Sequence, residues 1–142
     1  MAFTDEEQQT RRNAIRDLMP TTPFISLLGM TIERYEPDDV TMRLAFRPEL
    51  TNDGVAYHGG VVASAIDTAG ALAAWSNHDF DKGARASTVS MTVQYIGGAR
   101  SSDLVMHARA RKRGRELIFT DIEVTDAEGK LVAQAVQTYR IV

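Results

Sequence analysis

Polar and apolar residues change their period three times along this chain. Residues 5–19 are mostly charged or polar, with Ile15, Leu18 and Met19 as the apolar minority, and Thr4 stands three residues ahead of Glu7. That is capping-box spacing. It predicts a surface helix that Pro20 ends, with those three apolar side chains docked. Thr21-Thr22-Pro23 reads as a connector, so residues 1–22 form an N-terminal helix and link, and Phe24 to Leu28 reads as a short apolar turn. From Gly29 the period is two. Val40, Met42, Leu44 and Phe46 alternate with Thr41, Arg43, Ala45 and Arg47, and Glu36-Pro37-Asp38-Asp39 separates them from an earlier strand over 30–35, which predicts a hairpin.

After a turn-rich loop over 48–57, residues 58–75 are almost entirely apolar and predict one long buried helix. Alternation then returns. Val89, Met91, Val93 and Tyr95 are expected on one face of a strand, with Thr88, Ser90, Thr92 and Gln94 on the other. Residues 104–111, 117–124 and 131–142 read as three further strands, joined by turns at 112–116 and 126–130. Such short links imply antiparallel pairing. Six strands and one apolar helix make a two-layer α+β domain, and a sheet wrapped around that helix explains why the helix is apolar nearly all round.

Composition narrows the function more than the fold. With 142 residues the chain is expected to be one domain, spanning 1–142. A net charge of −3 gives no reason to expect nucleic acid as a partner. No cysteine is present, which removes disulfides, thiolate nucleophiles and thiolate metal sites. His58, His78 and His107 match no zinc spacing, so no metal is expected. The acidic N-terminus is no signal peptide, and the apolar run is broken by Asp67, so no membrane contact and a cytoplasmic location are expected.

The chemistry concentrates in the long helix. Asp67 is the only charged side chain between Asp53 and Asp79, apart from the histidines His58 and His78. A carboxylate in an apolar helix is costly unless something pairs with it or uses it. Val62, Ile66, Ala69 and Ala73 form one stripe, whereas Asp67 shares its face with the small residues Ala63, Gly70 and Ala74, a face suited to close approach. His58-Gly59-Gly60 opens the same helix, so its first N–H groups, at the positive end of the dipole, are bare. That is an oxyanion hole in outline. A structural acid, a turn histidine and packing glycines would account for the same residues singly. Gly59 and Asp67 lie eight residues apart, about 12 Å along a helix, too far to serve one carbonyl from one chain. If both act on one substrate, the site is shared by two chains of a dimer.

The run Asn52-Asp53-Gly54-Val55-Ala56-Tyr57-His58-Gly59-Gly60, followed by Asp67, resembles the hotdog-fold acyl-CoA thioesterases. Its nearest likeness is to the PaaI-like (phenylacetate-pathway) branch, close to the 4-hydroxybenzoyl-CoA thioesterases, whose acid is glutamate. The resemblance covers roughly residues 25–142. It implies a hotdog fold: an antiparallel six-stranded sheet wrapped around one long central helix, here with an extra N-terminal helix. It implies that the Gly59 N–H polarises a thioester carbonyl and that Asp67 acts across the dimer as nucleophile or general base. Asn52 would support the site from its loop, and Thr88, where some relatives have serine, would position water. His58 would shape the turn. Coenzyme A would lie along Lys112, Arg113, Gly114, Arg115, Glu116 and Leu117, with Arg140 as a further contact and Gly60, Ser90 and Tyr95 as substrate neighbours. Separately, Arg109, Arg111, Lys112, Arg113 and Arg115 gather positive charge that suits CoA phosphates on an otherwise acidic protein.

The reading is therefore an acyl-CoA thioesterase acting on aryl or medium-chain esters. Its site spans an obligatory homodimer, homotetramers are expected, and it needs no cofactor, coenzyme A being part of the substrate. The alternatives are a hotdog acyl-CoA dehydratase or hydratase and a non-catalytic acyl-CoA-binding module.

Overall fold

The computed structural model describes residues 2–142. Helix α1 (Asp5–Leu18) starts as its spacing predicts: Thr4 Oγ1 accepts the Glu7 N–H at 3.1 Å and the Glu7 carboxylate accepts the Thr4 N–H at 2.8 Å. A 3₁₀ turn at Met19–Thr21 carries Pro20. Helix α2 (Pro23–Leu28) ends at Gly29, whose φ of 76° is the left-handed conformation that closes a helix, and its N–H reaches Ile25 O and Ser26 O.

Six strands follow the predicted order: β1 (Met30–Glu36), β2 (Asp39–Leu44), β3 (Ala86–Tyr95), β4 (Leu104–Arg113), β5 (Leu117–Asp126) and β6 (Leu131–Ile141), with α3 (Gly59–Ser76) between β2 and β3. They form one antiparallel sheet ordered β1-β2-β4-β5-β6-β3. Some boundaries differ from expectation: β2 ends at Leu44, short of Arg47. Lys112 and Arg113 belong to β4 and Leu117 opens β5, so the turn shrinks to Gly114–Glu116.

The sheet wraps one face around α3. Val62, Ile66, Ala69 and Ala73 are buried as the stripe requires, against Met42, Leu44, Leu104, Met106, Ile122 and Val124. Helix α1 docks at the far end of α3. The buried Gln8 accepts the Phe80 N–H at 2.8 Å and donates to Asp79 at 2.9 Å, while Arg12 donates to His78 O at 2.9 Å. Among the described residues, no helix is long and apolar enough to cross a membrane.

Strand β3 is an edge, and it is unusual for one. Eight of its ten residues are exposed, and none is charged or proline. Natural edges are normally blunted by charge, proline or brevity, because bare strand edges pair with other chains. β3 also carries a bulge: Thr88 pairs with Tyr139 but Ser90 pairs with Thr138, which leaves Val89 as the extra residue. This corrects the simple alternation. A bulge flips the facing of everything beyond it, so Thr88 joins Met91 and Val93 on the side of α3. Ser90 is left on the outer face and no longer shares a face with Thr88.

Candidate active site

Asp67 sits on the third turn of α3 and is half-buried, not fully enclosed as an apolar helix suggested. Two donors converge on one of its oxygens. Thr88 Oγ1 donates to Oδ1 at 2.6 Å, and Gln137 Nε2 donates to the same Oδ1 at 2.8 Å and to the Asp67 carbonyl at 3.1 Å. Oδ2 accepts no hydrogen bond among the described residues. The carboxylate is held by one oxygen and offers the other.

The start of α3 separates the roles of its two glycines. His58 is the N-cap, and its Nδ1 accepts the Gly60 N–H at 2.8 Å. That contact leaves Nδ1 unprotonated and the proton on Nε2. The Gly60 amide, a predicted substrate contact, is thus taken by the cap. The Gly59 N–H has no partner among the described residues. Tyr95 Oη donates to Gly59 O at 3.1 Å and lays its ring beside the glycine, 3.5 Å from where a Cβ would be. The free amide therefore lies at the Tyr95 end of β3 and Asp67 at the Thr88 end.

Asn52 lies exposed in the loop, which is closed by an antiparallel bridge between Thr51 and Tyr57 and by the Asp53 carboxylate accepting the Val55 and Ala56 N–H groups. The predicted coenzyme A contacts form a second group. Lys112 near the end of β4 and Arg115 and Glu116 on the β4–β5 turn are exposed, and Arg140 is bound to Glu116 at 3.1 Å. Arg113 has a different employment: it pairs with Asp38 at 2.6 Å and donates to the Ala73 and Ala74 carbonyls at 3.1 and 2.8 Å, which closes the C-terminus of α3. Gly114 and Arg115 flank a small cleft of about 80 Å³ beside Asn77 and His78. This group sits at the C-terminal end of α3, about 26 Å along the helix from Gly59.

Two functional features escaped the sequence reading. Gln137 is one, although its signal was available: it lies in the inward register of β6 with Ala133, Ala135, Tyr139 and Ile141, where an amide is out of place. The other is its effect on Gly70. A Cβ there would meet Gln137 Oε1 at 2.3 Å, so this part of the small-residue face is filled by the glutamine and is not open to an approaching partner.

A concavity of about 550 Å³ lies on the outer face of the sheet among Thr92, Gln94, His107, Arg109, Glu123 and Gln134. It lies away from the candidate site, because Asp67 and Gly59 are on the opposite face. Among the described residues, no cluster of three His, Asp or Glu side chains is placed to hold a metal ion.

The model of the thioesterase superfamily matches residues 56–133. The chain is 30% identical over 133 residues to acyl-coenzyme A thioesterase 13 of Homo sapiens, covering 92% of this chain and 93% of the human protein. Its fold is that of the Escherichia coli PaaI protein from the phenylacetic acid degradation operon, with a TM-score of 0.82 at 20% identity over 95% of this chain and 96% of that one. A Streptococcus pneumoniae hypothetical thioesterase solved with coenzyme A superposes with a TM-score of 0.77 at 20% identity, covering 90% and 96%.

Proposed function

The chain belongs to the thioesterase superfamily and is a thioester hydrolase, and from that premise we propose that it cleaves aryl- or medium-chain acyl-CoA at a site shared by two chains. The observation that carries the reading is the Asp67 carboxylate, held through Oδ1 with Oδ2 unengaged. Oδ2 takes a proton from water as the water oxygen bonds to the thioester carbon, or it attacks that carbon itself and water then opens the acyl-aspartate. In either route the carbonyl electrons move to oxygen, and the Gly59 N–H of the second chain donates a hydrogen bond to the oxyanion that forms. One such donor is worth about 10²–10³ in rate. The C–S bond then breaks, in the second route before water opens the acyl-aspartate, and the sulfur leaves as the CoA thiol with a proton that comes from the water, by way of Asp67 in the first route. The reaction consumes one water and one ester, and no resident cofactor enters it.

The direction of the elements supports the sharing. The Gly59 end of α3 is tied to Tyr95 and the Asp67 end to Thr88, so α3 runs opposite to β3. If the bare edge of β3 pairs antiparallel with its own copy, the Thr88 end of one chain comes beside the Tyr95 end of the other. Asp67 then meets the free amide at the second chain's Gly59. Asn52 would steady the leaving group from its loop, and the exposed Lys112, Arg115 and Arg140 would meet the CoA phosphates. Pairing of such dimers into a tetramer, within the cytoplasm, belongs to the same reading. Phe119 and Val136, exposed on the outer sheet face, offer apolar area for that contact.

The test is thiol release from a panel of aryl- and aliphatic-CoA esters, with wild type beside Asp67→Asn. Without cysteine the protein adds no thiol of its own. The expected result is release by wild type and a fall of at least about 10³ in kcat for the variant at unchanged fold. Equal kcat in the two would remove Asp67 from the mechanism.

A further inference from the structure

We propose that Gln137 is a positioning residue for hydrolysis: its buried amide, together with Thr88, locks Asp67 through Oδ1 so that Oδ2 alone faces the thioester. The inference rests on Asp67 as the acting group and adds which oxygen acts and what fixes it.

Four observations converge. Gln137 is 2% exposed, and both bonds of its Nε2 go to Asp67, one to the side chain and one to the carbonyl. That two-point grip fixes the rotation of the carboxylate relative to its own helix backbone. A single bond would leave the torsion free. Next, Gly70 lies one turn beyond Asp67 on the same side of α3, and any Cβ there would come within 2.3 Å of the amide oxygen and 2.6 Å of Cδ. The helix therefore lacks a side chain where the amide must enter.

Third, the β3 bulge turns Thr88 toward α3 and brings its hydroxyl to 2.6 Å from the same Oδ1. Two adjacent strands, β3 and β6, thus hold one oxygen of Asp67 and leave the other. Fourth, the arrangement costs stability. Gln137 Oε1 and the hydroxyl of Thr120, its direct cross-strand neighbour, are buried polar atoms without hydrogen-bond partners among the described residues. A purely structural residue in this inward register would be apolar, like Ala133 and Ala135 on the same strand. An amide kept there at a cost is accounted for by what its N–H does to Asp67.

The experiment separates positioning from packing with two variants in the full-length protein. Gln137→Met keeps the length and bulk, removes the donor and removes the unpartnered oxygen. We expect an unfolding temperature equal to or above that of wild type, KM for acyl-CoA within about twofold, and kcat lower by about 10- to 100-fold, as befits a reacting group whose orientation is loosened. Gln137→Glu restores a donor only when protonated. We expect its activity to be displaced to acidic pH relative to wild type, because one proton must sit between the two carboxyls for Asp67 to remain charged and held.

A Gln137→Met enzyme with wild-type kcat overturns the proposal, as does a loss of kcat that merely follows a loss of folded protein. So does an unchanged pH profile in Gln137→Glu. If Asp67→Asn also keeps wild-type kcat, the reading of the site has failed beneath it. If Asp67→Asn is inactive and Gln137→Met is not, only the positioning claim has failed.

Discussion

At the scale of single residues, candidate chemistry that stands out by contrast was legible, and contacts made across the fold were not. Asp67 stood out because the run around it is apolar, and Gly59 because two glycines follow a potential cap. Gln137 is 70 positions from Asp67 and meets it only when β6 lies over α3. His78 is a further residue whose meaning is tertiary. It is buried between Trp75 and Phe80, with ring centroids at 5.2 and 5.0 Å, and its Nε2–H donates to Gly83 O at 2.8 Å. Burial pushes its pKa below the ordinary histidine value, partly opposed by the Gly83 carbonyl, while the charges of Arg113, Asp79 and Lys82 act around it. The unfolded chain therefore binds a proton below about pH 6.5 that the folded chain still refuses. Stability is fully present above that pH and is lost as pH falls from there toward the lowered folded value. We expect the unfolding temperature to drop between pH 7 and pH 5.5, and His78→Gln to flatten that slope. A slope unchanged in the variant would assign the acid sensitivity to other groups.

At the scale of elements, periodicity located every helix and strand, but not what happens inside or beyond their ends. The Val89 bulge has no glycine or proline to mark it, so alternation counted straight through β3 assigns Thr88 the wrong face. The β4–β5 turn shows the same limit. Charge along the chain groups Arg113 with Lys112 and Arg115 as phosphate contacts, whereas the extension of β4 carries Arg113 inward to Asp38 and to the last carbonyls of α3. Asp38 also accepts from Asn77 Nδ2 at 2.9 Å, and its N–H donates to Ser76 Oγ at 2.9 Å, so the β1–β2 turn, β4 and the end of α3 form one joint. Hydrogen bonds to charged groups are worth about 1.5–3 kcal/mol, and this one is only partly shielded from water. Arg113→Ala should therefore cost about 2 kcal/mol and lower the unfolding temperature by roughly 7 °C, with little change in KM. Arg115→Ala should do the opposite, raising KM for acyl-CoA at constant stability. A thermal scan beside steady-state kinetics on both variants reads the two effects. A weakened KM with full stability for Arg113→Ala would return that residue to the substrate.

At the scale of the whole molecule, the fold follows from period and order, and membership of the thioesterase superfamily from the match over residues 56–133. In the proposed mechanism the site does not close within one chain. If Gly59 and Asp67 act on one substrate, the eight-residue gap between them calls for a second chain, and the antiparallel course of α3 and β3 is compatible with a copy supplying it. The demand has a quantitative consequence. Asp67→Asn removes the acting group and leaves the amide intact. Gly59→Val fills the approach to the amide and leaves Asp67 intact; a Cβ there makes only ordinary contact with the Tyr95 ring at 3.5 Å, so the helix start should tolerate it. Each variant alone should be inactive. When the two are co-expressed with different tags, about half of the dimers are mixed. In each mixed dimer one site combines the intact Gly59 of one chain with the intact Asp67 of the other, and the second site carries both lesions. Activity should therefore return to about a quarter of the wild-type value per chain, and to about half in doubly purified mixed dimers. A site contained in one chain would recover nothing, because every chain then carries a lesion of its own.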